Sequence, residues 1–251
     1  EIRLWASAGW ALSSALTGLL VTEKNMQIIF PVATSFLIIT WIIALKYLKQ
    51  PVIKKTHSSL SIRTIFDLLN HDKRLLSLFV LILVFHIFNS PTLMLINLYY
   101  NEIGGTNSHI GLAFAIQSVF ELPFFFWGQK IVDRFNAKRI IIFCMLVASF
   151  RMFLYGLTSH PVLAIAIGSL HGITLGLLAV ALVDIIHSIV PQNQNSTGQS
   201  LMYVFMGIGT SLGNLINGYL KDSITLRNAM LLNSAFVLML VFSILVYMKR
   251  K

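Results

Sequence analysis

Charge is what this sequence has least of: Asp, Glu, Lys and Arg together make up 11% of its 251 residues. Soluble domains carry roughly 25% charged residues. A chain this poor in charge cannot cover a water-facing surface, so its solvent is largely lipid. Cysteine is almost missing too. Cys144 is the sole one, which excludes an intrachain disulfide and any cysteine-built metal site. There is no H-E-x-x-H set and no nucleophile–base pair, so an intramembrane enzyme is disfavoured, and no catalytic residue, metal or cofactor is expected. Acidic residues are the rarer sign, 9 against 19 Lys and Arg, for a net charge of +10. In a soluble protein that would suggest nucleic acid, but no RNA-binding or helix-turn-helix pattern is present. Basic residues retained in cytoplasmic loops explain the surplus.

Apolar sequence is abundant: 56% of residues are hydrophobic and mean hydropathy is +0.78. It is gathered into long uncharged runs, each near the ~20 residues that span a bilayer. Eight spans are predicted, at roughly 5–22, 26–47, 75–99, 109–132, 140–158, 161–187, 198–220 and 228–248. The runs do not alternate polar and apolar as barrel strands would, so the fold class is all-α, a polytopic membrane helix bundle. With the N-terminus inside, fifteen Lys and Arg fall in cytoplasmic segments and three (Lys24, Lys221, Arg227) outside. This predicts both termini in the cytoplasm and an even span count. The long basic segment 48–74 contains Ser61–Leu69, with apolar residues at helical spacing, which reads as an amphipathic helix at the inner membrane surface. Three parts follow: 1–48 with two spans, 49–74 as a cytoplasmic loop, and 75–251 with six. Six spans after a cytoplasmic linker suggest one half of a two-half transporter. The opening at Glu1, without an initiator Met or a signal peptide, reads as a piece of a longer protein with four further spans.

Ionisable groups inside a membrane are costly and usually face a cavity or a partner. Four stand out: His86, Glu121, Arg151 and His171. At 1.5 Å of rise per residue, the last three fall at comparable depth, near the middle of the bilayer. There they can neutralise one another and hold a polar solute, or merely lock three helices together. His86 reads equally as a neutral histidine bonded to a carbonyl. Asp184 and His187, one turn apart near an inner helix end, read as an interfacial polar pair, since two ligands make a poor metal site. Arg3 and Trp10, seven residues apart, share a helix face. They suit a sugar, whose hydroxyls take the guanidinium donors and whose C–H face stacks on the indole, or else an interfacial anchor. Gly207, Gly209, Gly213 and Gly218 indicate close helix packing, and Pro91 and Pro123 potential kinks.

Several stretches carry a resemblance. Arg3-Leu-Trp-Ala-Ser-Ala-Gly-Trp-Ala-Leu resembles the fifth helix of the oligosaccharide:proton symporters, the lactose-permease-like branch of the major facilitator superfamily. Tyr99-Tyr-Asn-Glu-Ile-Gly-Gly, with Ile110-Gly-Leu and Glu121-Leu-Pro, is similar to that branch's seventh-to-eighth helix region. Gln129-Lys-Ile-Val-Asp133-Arg134-Phe-Asn-Ala-Lys138-Arg139 is similar to the superfamily's cytoplasmic D-R-x-G-x-R-R loop. Ser169-Leu-His171-Gly-Ile-Thr resembles the histidine-bearing tenth helix. The resemblance implies helices five to twelve of a twelve-helix protein. It implies that Arg3 binds sugar hydroxyls, Trp10 stacks on the ring, and Glu121 accepts bonds from substrate and couples it to protonation. Arg151 would tune a nearby carboxylic acid, His171 would link substrate to that acid, and Asp133, Arg134, Lys138 and Arg139 would form a gating loop.

Departures matter as well. The glutamate that follows the histidine by three residues in lactose-type symporters is Thr174 here, so proton coupling by that route is absent; it falls to Glu121 or His171, with Arg151 beside them, or the coupling differs altogether. Asn136 replaces the loop's glycine, and Gln129 the glycine four residues before the aspartate. The acidic partner expected for Arg3 would lie in helix four, outside this sequence. The expected function is an alternating-access secondary transporter in the plasma membrane, monomeric when full length. Its solute is a small polar molecule, foremost a sugar or oligosaccharide, and its energy source is the proton gradient. An exporter of sugars or drugs, a permease for aromatic acids or nucleosides, and a non-transporting remnant are the alternatives.

Overall fold

The computed structural model describes residues 2–21, 25–48, 68–69 and 72–249, without the side chains of residues 2–4 and Met26. The predicted amphipathic helix at 61–69 therefore lies almost wholly outside the described residues, and so does the side chain of Arg3. Helices α1 (Ile2–Leu20) and α2 (Ile29–Tyr47) come first, followed by α3 (Lys73–Asn89) and α4 (Ile96–Glu102). Two long helices are next, α5 (Asn107–Phe135) and α6 (Ala137–Leu157). The short α7 (Pro161–Gly168) leads through a π-helical segment, Gly172–Leu177, into α8 (Leu178–Ile189). The last two are α9 (Asn195–Ser223) and α10 (Leu226–Lys249). Among the described residues there is no strand.

The eight predicted spans correspond to eight helical passages, two of them interrupted. Pro91 lacks an amide proton, and around it the third passage breaks into a 3-10 turn, Ser90–Thr92, between α3 and α4. The sixth passage is broken by the π-helical segment. Pro123, in contrast, sits inside an unbroken α5. Six passages are long and apolar enough to cross a membrane by length and composition; α1 and α9 are not among them. Both carry a polar face, with Ser7, Ser13, Ser14 and Thr17 on α1, and Thr210, Ser211, Asn214 and Asn217 on α9.

Local chemistry sets the helix ends. The Asp72 side chain accepts from the Arg74 amide (2.7 Å) to cap α3. Thr106 and His109 form a capping box at the start of α5. Asn136, the residue in place of the loop glycine, has φ +73° between α5 and α6. Its side chain accepts from the Lys138 amide at 3.0 Å, so it both turns the chain and caps α6.

α1 packs along α5, α10 along α6, and α9 along α3. One apolar core joins Phe79 and Ile82 of α3 to Met145 and Met152 of α6, Leu182 and Ile186 of α8, and Val237 of α10. A second, around Tyr99, Tyr100, Tyr155 and Leu226, lies at the α4 end, where the Tyr99 hydroxyl donates to the Tyr155 carbonyl at 2.9 Å. Gly209 and Gly213 lie directly against the Leu83 and Ile87 carbonyls of α3, the close approach that small residues permit. Gly207 and Gly218 face open space. α2 buries none of its residues.

Candidate functional site

Three ionisable side chains from three passages meet in the middle of the bundle. Glu121 comes from α5, Arg151 from α6 and His171 from the turn between α7 and the π-helix, and they are 7%, 1% and 7% exposed. Burial at this level demands partners, and each supplies the next. Arg151 Nη1 donates to His171 Nδ1 (2.6 Å), and His171 Nε2 lies 3.2 Å from Glu121 Oε1. A guanidinium can only donate, so Nδ1 is the acceptor and the ring proton sits on Nε2, facing the carboxylate. A second ring proton would point at Arg151. The imidazole is therefore a neutral bridge between a cation and an anion.

The chain of bonds continues at both ends. Ser7 of α1 donates to Glu121 Oε2 at 2.7 Å. Arg151 Nη2 donates to Thr92 Oγ1 at 2.8 Å, and that hydroxyl donates to the Asn89 carbonyl at 2.9 Å. Both irregular segments serve this chain. The break at Pro91 presents the Thr92 hydroxyl beside Arg151. Gly172 lies against the Phe120 carbonyl, where a Cβ would overlap; the π-helix thus approaches α5 closely enough for His171 to reach Glu121.

Glu121 and His171 open onto a cavity of about 800 Å³, a size typical of small-molecule sites. α1 contributes Ser7 and Trp10, α5 Gln117 and Ser118, and α9 Thr210, Ser211 and Asn214. The buried Asn214 Oδ1 has no hydrogen-bond partner. His86 lines the cavity too, with its Nδ1 bonded to the Ile82 carbonyl at 2.8 Å, as its carbonyl-bonded reading expects. Thr174, standing where the glutamate was expected, is buried, and its hydroxyl bonds only to the His171 carbonyl at 3.3 Å. Ser7, Thr92 and Asn214 were not singled out from sequence. Their only signal is a small polar residue within an apolar run, which many packed helices share.

At the far end of α5, Gln129 Nε2 donates to Asp133 (2.9 Å) and to Asp184 of α8 (3.0 Å). Gln129, in place of the glycine four residues before the aspartate, thus ties α5 to α8. Asp184 and His187, expected as a pair, bond to different helices instead: His187 is bonded to Gln199 of α9. Flanking helices bring amides to each, and the two side chains diverge. Arg134 lies over the Phe135 ring (5.4 Å), and Lys138 and Arg139 are exposed. Among the described residues, none of the three forms an ion pair with Asp133. No group of three or more His, Cys, Asp or Glu could hold a metal among the described residues.

Known proteins resemble the chain along most of its length. It is 25% identical over 230 residues to an uncharacterized transporter, YwbF, of Bacillus subtilis (strain 168), covering 90% of the chain and 56% of that protein. It is 24% identical over 226 residues to the maltose permease of Geobacillus stearothermophilus, covering 88% of the chain and 56% of the permease. The chain thus spans little more than half the length of these relatives. The crystal structure of a mutant of the nucleoside transporter NupG superposes with a TM-score of 0.76 at 18% identity, over 98% of the chain and 66% of that structure; this establishes the fold. The helix bundle, its buried polar centre and these relatives agree with a family model, described as the MFS_1 like family, that matches residues 1–247, and the chain belongs to that family, within the major facilitator superfamily of multi-pass membrane transporters.

Proposed function

We propose that this chain carries the solute cavity of a secondary transporter for a neutral, hydroxyl-rich solute, a sugar or oligosaccharide, with coupling to protons at Glu121. Residues 1–48 supply two helices of one half, 49–74 a cytoplasmic linker and 75–251 the six helices of the other, with both termini in the cytoplasm. The observation that carries the reading is the continuous chain Ser7–Glu121–His171–Arg151–Thr92, partly open to a cavity inside an otherwise apolar bundle. A structural lock alone would not need an 800 Å³ void beside it. The lining supports an uncharged polyol: hydroxyls and amides offer both donors and acceptors, and Trp10 offers a flat apolar face. The likeness to a maltose permease points to the same solute class.

In this mechanism Ser7 makes Glu121 the contact between the two halves. The ionised carboxylate accepts from Ser7 on one half and from His171 on the other. A proton on Glu121 turns one oxygen into a donor and removes the anion that faces Arg151 through the imidazole. The Ser7 bond then loses its charge assistance, and the halves are freer to rock about the cavity. With Thr174 in place of a second carboxylate, Glu121 carries this proton by itself. Arg3 and Trp10 complete the sugar contacts from α1. Arg134, Lys138 and Arg139 guard the cytoplasmic mouth, with Asp133 held by Gln129.

The test is Glu121→Gln in the intact gene product. Uphill accumulation of labelled maltose should vanish, while downhill exchange across the same membranes persists. Unchanged uphill transport in that variant removes Glu121 from proton coupling.

A further inference from the structure

Beside the central cavity lies a second, of about 470 Å³, toward the C-terminal end of α1. α1 lines it with Ser13, Ser14 and Thr17, and the facing helices with Asn97, Asn101 and Asn107. Among the described residues, no charged side chain is in its lining. Among the described residues, the amides of all three asparagines and the Ser14 and Thr17 hydroxyls have no hydrogen-bond partner; Asn97, Asn101 and Thr17 are exposed, and Asn107 and Ser14 half-buried. A primary amide carries two donors and a two-lone-pair acceptor. Three unspent amides in one uncharged concavity match hydroxyl groups, each both donor and acceptor. Trp10 and Phe114 line both cavities, with their rings edge to face and centroids 6.4 Å apart. This aromatic pair stands where the two cavities adjoin.

We infer that the asparagine-lined chamber is a second binding site for a neutral polyhydroxyl solute, adjoining the central site at the Trp10–Phe114 pair. The site rests on the solute class proposed above but not on Glu121. Solute held there is staged one aromatic pair away from the central cavity, and a saccharide longer than one ring can reach past that pair into both chambers.

Thiol protection in the intact gene product, with any cysteine outside this sequence replaced, tests this; Cys144 itself is fully buried. Ser13→Cys reports on the second chamber and Ser211→Cys on the central one; a membrane-impermeant maleimide is the label and maltose the probe. Maltose at about ten times its dissociation constant should slow labelling at Ser13→Cys roughly tenfold, the change set by site occupancy. That protection should persist with Glu121→Gln and be lost with Asn97→Ala plus Asn101→Ala, which leaves protection at Ser211→Cys intact. Protection at Ser211→Cys alone overturns the second site while the sugar-transporter reading stands. Protection at Ser13→Cys that survives loss of both asparagines also overturns it, because closure around the central site would then be the cause. If maltose, tested alongside glucose and sucrose, protects neither reporter, the second site falls together with the sugar reading.

Discussion

Helices α1 and α2 are both 19 residues long, and the less apolar one is the one that packs. α2 is apolar enough to count as a span by composition, yet it buries nothing. α1 falls short of that measure and lies in close contact along α5. Side-chain chemistry explains the difference. The hydroxyls of Thr34, Ser35 and Thr40 on α2 all turn back to carbonyls of their own helix at 2.8 Å. On α1, Ser7 reaches across to Glu121, and the Gly18 carbonyl accepts from Ser108 of α5 at 3.1 Å. At Gly18 and Gly111 the two backbones touch: a Cβ on Gly111 would lie 2.6 Å from the Gly18 Cα and 2.7 Å from the Ser14 carbonyl. Lipid is as apolar as leucine, so hydropathy inserts a helix but does not dock it. Small residues and cross-helix hydrogen bonds do that.

The largest way to break this contrast is Gly111→Leu. No flexible neighbour can yield there, since the obstructing atoms are backbone. The variant should lose well over the ~1–3 kcal/mol typical of overpacking, as judged by thermal unfolding in detergent. Gly9→Leu on α1, where a Cβ meets nothing within 4 Å, is the matched control. Equal melting temperatures for the two variants would show that the α1–α5 seam is not tight. Ser7→Ala should have an intermediate effect. Removing one interhelical hydrogen bond in a membrane costs on the order of 0.6–1.7 kcal/mol, and the loss should appear in unfolding measurements. A fall no larger than that of an α2 hydroxyl variant would mean that Ser7 does not anchor α1. Smallest of all is Thr34→Val on α2. Its hydroxyl serves only its own turn, so stability should change by no more than about 0.5 kcal/mol; a larger loss would reveal a partner for α2.

Much of this was legible beforehand because lipid imposes a simple grammar. Each passage must satisfy its backbone internally, so long uncharged runs read as helices, and all eight are present. Glu121, Arg151 and His171 were legible for the same reason: charge in lipid is rare enough to stand out, and equal depth made their meeting plausible. Asn136 was legible as a substitute for glycine because asparagine tolerates positive φ more readily than most residues. Ser7, Thr92 and Asn214 were not, since a lone serine, threonine or asparagine in a membrane helix bonds its own backbone as readily as a neighbour. Neither was the π-helix after His171, because a widened turn leaves no mark on the hydrophobic pattern. The separate partners of Asp184 and His187 were not legible, because helical spacing says which side chains are near each other, not which amides adjacent helices bring to them.

By itself, then, the sequence determined where the long apolar runs lie, that they form helices, and which charges are out of place in oil, because these follow from the solubility of individual residues. Tertiary structure decided the order of the polar chain from Ser7 to Thr92, the tautomer of His171, and the meeting of Trp10 with Phe114 where the two cavities adjoin. Those depend on where separate helices touch, and contact between distant segments is settled by shape and by the pairing of individual donors with acceptors, which no local pattern records.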